Sequence, residues 1–523
     1  MVAEHRRAWI HRLVVTADQM QRIEGEIFDR GMPVPALMEK VAGLIAAWVV
    51  AHFPLQTFPQ VGVLVGPGHN GGDALVVARE LWLRGYDVII CCPLSKSKPL
   101  TADHMQFARS LGIPIHRQGQ PLQSCSLFID GLFGFGLERP LEGDLANLVE
   151  QINRWPQPVV SIDLPSGIHT DTGAVLGTAI AATHTLCLGL WKRAFCQSQA
   201  LTYLGQRELI DFDIPPDIVE AELSPTLQVQ RVTQATALAL LPLPRQPDTH
   251  KYRVGHLLVV AGSRRFAGAA ILTGLGARAS GVGMITLVVP ESLRLMVVGQ
   301  IPEALVMGGR EGETGAMVAL PEELDLVQYD AIACGPGLSQ QALPLMEPLL
   351  AAQTPLVLDA DGLNLLTQLN PLQLLPKRSA PTLLTPHPGE FKRLFPEIAA
   401  ASTPGESPAQ TAAAQSRAVV LLKGACTAIA HPDGRLRYIA DSTPALARGG
   451  SGDVLTGLVG GLMAQYTATA EETSNDLALK AAMVAAWWHA QAARVAATER
   501  TQLGVDGTTL VAYLHRALGG VGA

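Results

Sequence analysis

Short apolar runs recur along the chain between stretches that read as helix or turn. The first series covers residues 61–65, 88–92, 127–129, 159–162 and 184–188. That alternation predicts a doubly wound, Rossmann-like parallel sheet. A second series starts after residue 250 and covers residues 256–260, 284–289, 331–334, 356–358, 382–384 and 419–422. Between the two lies a stretch, residues 223–248, with four prolines and a short Ala/Leu patch. The predicted fold class is therefore α/β with two domains, residues 1–225 and 226–523. Residues 399–414 read as a surface loop running into a helix.

At 523 residues the chain exceeds the roughly 250 to 300 residues at which a single core stops growing. Apolar residues at 48% and charged residues at 16%, with 50 glycines and 36 prolines, fit turn-rich α/β enzyme domains. A net charge of −7 argues against nucleic acid as the main partner. Seven cysteines, an odd number with no CxxC pair, point to reduced thiols and a cytoplasmic protein. No run reaches the about 18 consecutive apolar residues of a membrane span, and the apolar patch at residues 13–15 is too short for a signal-peptide core. No membrane partner is expected. A homo-oligomer is, with helix faces at residues 37–50 and 481–497 as candidate subunit contacts.

Chemistry-bearing residues cluster where the apolar runs end. After residues 61–65 comes Gly66-Pro67-Gly68-His69-Asn70-Gly71-Gly72-Asp73, the strand, glycine loop and helix layout that holds a phosphate or nucleotide at a sheet edge. It is not the dinucleotide fingerprint, because Asn and Asp inside the loop supply hard oxygen donors. Asp130, Asp163 and Ser166 also sit at strand ends, so with Asn70 they are candidates to meet in one crevice. Near the C-terminus, Gly449-Gly450-Ser451-Gly452-Asp453 opens an apolar helix. Glycines and free amides at a helix start form an anion hole, and a carboxylate there suits a base acting on a hydroxyl aimed at a phosphate. Taken alone, that motif reads more readily as a glycine-rich turn with an Asp cap, and the other motifs reverse that preference. The further loops Cys334–Leu338, Leu358–Asn364, Thr385–Glu390 and residues 422–427 each follow a predicted strand, where ligand clefts form.

In this order of motifs the chain resembles the bifunctional NAD(P)H-hydrate repair enzymes, from Thr16 to about Leu518. These join an N-terminal epimerase domain to a C-terminal ADP-dependent dehydratase domain of ribokinase-like fold. His69 and Ala74 stand where the family usually has Asn and Gly. The resemblance implies K+ held by Asn70, Asp130 and Ser166. It also implies substrate binding along His69, Asn70, Gly71, Gly72 and Asp73, along Gly134, Phe135, Gly136, Leu137, Glu138, Arg139 and Pro140, and at Asp163, the epimerase acid–base group.

For the C-terminal domain the resemblance implies adenine-nucleotide contacts from Lys423, Gly424, Ala425, Cys426, Thr427, Gly449, Gly450, Ser451 and Gly452. Ala270, Gly337, His387 and Asp453 would contact the hydrated dinucleotide, NADHX or NADPHX. Asp453 would take the C6 hydroxyl proton as that oxygen attacks the β-phosphate of ADP, and Mg2+ would shield the phosphates through Asp359, Asp361 or Glu390. Two other readings carry different consequences. A ribokinase-like kinase for a vitamin precursor, with a non-catalytic N-terminal module, would keep its phosphorylated product and prefer ATP. A scaffold role for the N-terminal half is disfavoured by the presence of Asn70, Asp130, Asp163 and Ser166.

Overall fold

A computed structural model describes residues 3–223, 229–403, 405–471 and 473–519. It divides into two compact units, Met1–Leu227 and Gln228–Ala523. The expected boundary at residues 225/226 falls among residues 224–228, outside the described residues.

The N-terminal unit is built on a seven-stranded parallel sheet whose spatial order is Ile115–His116, Asp87–Cys91, Gln60–Val65, Leu127–Gly131, Val159–Ile162, His184–Leu188 and Gln206–Ile210. All five expected strands are present, within a residue or two at their ends. The last strand, Gln206–Ile210, was not anticipated: its sequence QRELI carries polar residues because it lies at the sheet edge. Alternate residues face opposite layers. Val61, Val63, Val65 and Ile129 enter one apolar core, whereas Leu64 and Phe128 enter the other beneath helix Gly143–Asn153. Chain order reverses between Gln60–Val65 and Leu127–Gly131, and the loops after these two strands open the crevice typical of such a reversal.

Helix Val34–His52 is long and apolar enough to cross a membrane by length and composition, with a hydropathy of 1.6. It buries Leu37, Met38, Val41, Ala42, Ile45, Ala46 and Val49 in the unit's own core. The helix Asn475–Arg500 buries residues 481–490 in the same way. The two faces expected to make subunit contacts are therefore mostly used internally, because each helix has more apolar surface than one solvent-facing stripe permits.

The C-terminal unit holds an eleven-stranded sheet. From Val419–Leu422 across to Leu305–Glu311 its pairs are parallel, in the order 419–422, 382–384, 356–358, 331–334, 256–260, 284–290 and 305–311. Antiparallel strands Thr427–Ala430 and Leu436–Ile439 extend one side, and Met317–Ala319 ends the other. Strand Val229–Arg231 joins Leu436–Ile439, so part of the proline-containing stretch between the two series of apolar runs belongs to this sheet. Residues 399–414 do run into a helix, Pro408–Ser416, as expected, but their first residues end another helix, Pro396–Ala401, and both helices have Pro in the first turn.

Helices Ala267–Ala279 and Ser451–Thr469 pack backbone to backbone. A Cβ on Gly457 would lie 1.9 Å from the Thr273 carbonyl oxygen, and one on Gly276 would lie 2.2 Å from that of Val454. Only glycine permits this approach.

Candidate active sites

In the N-terminal unit the glycine loop is pressed against the following strand. Gly66 donates its N–H to the Gly131 carbonyl at 3.1 Å, and a Cβ on Gly66 would lie 1.6 Å from Leu132 O. Helix His69–Leu83 starts directly from Gly68, so Asn70, Gly71, Gly72 and Asp73 occupy its first turns. Asp130 is fully buried and, among the described residues, has no cationic partner. Ser161 Oγ donates to its Oδ2 at 2.8 Å, Ser166 N to Oδ2 at 2.9 Å and Ser166 Oγ to Oδ1 at 2.6 Å. Burial raises its pKa, and these hydrogen bonds oppose the rise.

Gly134 lies between two of the candidates. A Cβ there would sit 3.0 Å from Asp163 Oδ2 and 3.1 Å from Asn70 Oδ1. Asn70 Nδ2 is buried with no hydrogen-bond partner among the described residues. Asn70, Asp130, Asp163 and Ser166 thus do converge, with Phe133 N donating to Ser166 Oγ at 2.9 Å to tie the two loops together. The uncompensated Asp130 carboxylate, the Ser166 hydroxyl and the Asn70 amide form an oxygen-rich donor set that fits a hard monovalent cation.

Asp163 holds a φ of 67°, the left-handed region that a non-glycine residue occupies at a cost. Its Oδ2 accepts from Phe135 N at 2.8 Å, and its Oδ1 accepts from Lys192 Nζ at 2.5 Å. Lys192 is fully buried and also donates to Leu188 O at 2.5 Å. Burial alone would lower its pKa; the adjoining Asp163, Cys187 and Glu24 outweigh this and raise it. The Phe135 ring lies 5.5 Å from the ammonium. His69 is exposed at the rim, as are Gly136, Glu138, Arg139 and Pro140, with Leu137 partly covered.

In the C-terminal unit, Gly450 caps helix Ser451–Thr469 in the left-handed conformation, with φ 90°, and Asp453 lies in the first turn. Lys423 Nζ donates to Asp359 Oδ1 at 2.7 Å, and Thr456 Oγ1 donates to Asp359 Oδ2 at 2.7 Å. Gly452 spans this pair: its Cβ would be 3.6 Å from Lys423 Nζ and 3.7 Å from Asp359 Oδ2. Burial and the nearby Asp359 and Asp361 push Asp453 up to about 6, against the pull of Lys423. Lys423 is raised, because Asp359, Glu390 and Asp453 outweigh its burial.

Residues 423–426 form the turn between strands Val419–Leu422 and Thr427–Ala430, with Gly424 and Ala425 exposed. The Cys426 side chain is buried. His387 caps helix Pro388–Leu394 and shares a capping box with Glu390. Gly337, with φ 68°, lies against Phe266, and the buried Ala270 packs under Gly262. Among the described residues no group of three or more His, Cys, Asp or Glu is arranged to hold a metal ion. Asp359, Asp361 and Glu390 each already accept hydrogen bonds from protein donors, which suits contact with a cation through water.

Two family models match: one described as NAD(P)H-hydrate dehydratase over residues 257–516, the other as YjeF-related protein N-terminus over residues 34–194. A bifunctional NAD(P)H-hydrate repair enzyme from Synechocystis is 53% identical, covering 96% of this chain and 94% of the relative. The chain belongs to this family. A member from Thermosynechococcus vestitus is 51% identical, with 96% of each chain covered. A Bacillus subtilis ADP/ATP-dependent NAD(P)H-hydrate dehydratase, crystallised with ATP and Mg2+, matches 55% of this chain and 96% of its own at 32% identity and a TM-score of 0.45.

For an NAD(P)H-hydrate repair enzyme, the most informative residue missed in the sequence is Lys192. It lies on a two-residue strand, Trp191–Lys192, too short to register as an apolar run. The one available signal was a lysine placed four residues past the strand end at Leu188. His489 was also missed: it is buried, its Nε2 lies 2.8 Å from Ser451 O, and burial pushes it down to about 4. It supports the first turn of the helix that carries Asp453.

Proposed function

We propose that the N-terminal unit, residues 1–225, interconverts the R and S forms of NADHX and NADPHX, and that residues 226–523 dehydrate the S form using ADP. The observation that carries this reading is that each unit presents an acid–base carboxylate in a separate strand-end crevice, Asp163 in one and Asp453 in the other.

In the first crevice, residues 69–73 and 134–140 line the nucleotide, and Asp163 assists loss and return of the C6 hydroxyl. Loss gives an iminium-like ring that water re-enters from either face. Asn70, Asp130 and Ser166 would hold K+, which supplies positive charge beside the buried Asp130 carboxylate. In the second crevice, residues 423–427 and 449–452 contact ADP, while Ala270, Gly337 and His387 contact the hydrate. Asp453 removes the C6 hydroxyl proton as the oxygen attacks the β-phosphorus, and the amides of residues 450–452 stabilise the charge that develops. AMP departs, and the phosphorylated hydrate then loses phosphate to give NAD(P)H, because phosphate leaves far more readily than hydroxide. Mg2+ would lie by Asp359, Asp361 or Glu390 through water and shield the phosphates.

A pKa near 6 suits Asp453 to this work, since it is ionised at neutral pH yet basic enough to accept a proton. A cytoplasmic location fits the seven buried cysteines, which form no disulfide among the described residues. A homo-oligomer is part of the reading, with exposed Leu295, Met296 and Val298 on helix Arg294–Gln300 as an apolar face.

The deciding experiment supplies an R/S mixture of hydrated NADH with Mg2+, K+ and ADP and follows the absorbance of reduced nicotinamide. Complete conversion is expected. A stop after the S form alone removes the epimerase reading, and retention of a phosphorylated product in place of NADH favours a small-molecule kinase.

A further inference from the structure

Epimerisation has to handle water on two faces of one ring, and Asp163 addresses one of them. Two other carboxyl groups, Glu24 and Asp73, lie in the same electrostatic neighbourhood. Neither has a hydrogen-bond partner among the described residues. Asp73 is 9% exposed. Glu24 comes from helix Ala17–Asp29, outside the residues 34–194 matched by the N-terminal family model.

The route by which Glu24 arrives is specific. Val14–Val15 pairs in parallel with Trp191–Lys192, setting Val15 opposite Lys192. Thr16 and Gln19 close a capping box, and Ala17 N donates to Asp171 Oδ1 at 2.9 Å, which fixes the start of the helix. The helix buries Met20, Ile23 and Ile27, and Glu24 stands four residues after Met20 and three before Ile27. A carboxylate is thus placed on the inward face, where an apolar residue would otherwise belong. There it senses Lys192 and Asp163, while Asp73 senses Glu24 and Asp163. Burial pushes Glu24 up to about 7 and Asp73 well above the usual carboxylate range, with mutual repulsion adding to the rise in Asp73.

We infer that Glu24 and Asp163 are the two acid–base groups of the epimerisation, one for each face of the hydrated ring, with Asp73 beside Glu24. This rests on the reading of the N-terminal unit as the epimerase. On one face the protonated carboxyl gives its proton to the C6 hydroxyl. The C6–O bond breaks, water leaves with the electron pair, and the ring nitrogen lone pair forms C6=N. On the other face a water oxygen bonds to C6, its proton passes to the waiting carboxylate, and the C6=N pair returns to nitrogen. The reverse reaction exchanges the two roles, and proton exchange with solvent resets them.

The test combines Glu24→Gln with oxygen-18 water. In the full-length wild type, inversion at C6 is accompanied by entry of solvent oxygen. In the variant, inversion should fall about 100-fold or more. Exchange of the C6 hydroxyl should persist in one epimer without inversion, and dehydration of the S hydrate should be unchanged. Glu24→Asp, which retains the acid, should recover part of the inversion. Inversion within threefold of wild type in Glu24→Gln overturns the inference, and so does joint loss of inversion and exchange on both epimers, which is what a structural role produces. Absence of inversion in the wild type instead removes the epimerase reading itself.

Discussion

Both crevices set a carboxylate near a lysine, fully buried in the first and partly exposed in the second, yet they use the lysine differently. In the N-terminal unit Lys192 pairs directly with Asp163 at 2.5 Å. In the C-terminal unit Lys423 pairs with Asp359 at 2.7 Å, and Asp453 is raised to about 6 by burial, with its carboxylate neighbours adding to the rise. The first arrangement fixes the orientation of its carboxylate. The second keeps its carboxylate unpaired and basic. An acid–base group that must serve an oxygen leaving and returning benefits from firm placement, whereas a base that takes one proton ahead of phosphoryl transfer benefits from a raised pKa.

The comparison breaks most sharply at Asp453. Asp453→Asn should lower dehydration by about 10³- to 10⁴-fold and leave R/S interconversion intact, as followed by separating the epimers chromatographically. A dehydration rate close to wild type would show that the base lies elsewhere. Next in size is Lys192→Met, which leaves Asp163 buried and unpaired and should cost about 3–5 kcal/mol in denaturant unfolding of the N-terminal unit. Epimerisation should disappear with it, while dehydration of the S form persists. Pairing this change with Asp163→Leu should recover the stability without the activity.

The mildest perturbation is pH. A carboxylate base raised to about 6 is ionised above that value and protonated below it. The kcat/KM of dehydration should therefore fall about tenfold per pH unit below pH 6, with a plateau above it. The Asp453 limb should be absent from the epimerisation profile.

The long-range layout was legible because the buried strands of a parallel sheet are apolar throughout, as in Ala331–Cys334 and Leu356–Leu358. Loop residues such as Asn70, Asp130 and Asp163 were legible because strand ends in such a sheet gather at one edge. What escaped notice lacked that apolar signal. Gln206–Ile210 and Val229–Arg231 are edge strands with polar residues, and Trp191–Lys192 is two residues long. Glu24 sits in a helix whose sequence pattern is ordinary, and its importance comes only from what the fold brings opposite it. The buried state of Cys426 was likewise invisible, since a hairpin turn shows which residues are near a ligand but not which way each side chain points.

The contact of Gly457 with the Thr273 carbonyl, and of Gly276 with that of Val454, has an evolutionary consequence. A seam made of main chain has no side chain that selection can enlarge, shrink or recharge by small steps. The helix bearing Asp453 is thereby closed to gradual change along that line, and a shift toward a different hydrated substrate has to be written into the loops around it, at positions such as Phe266, His387 and Ala425.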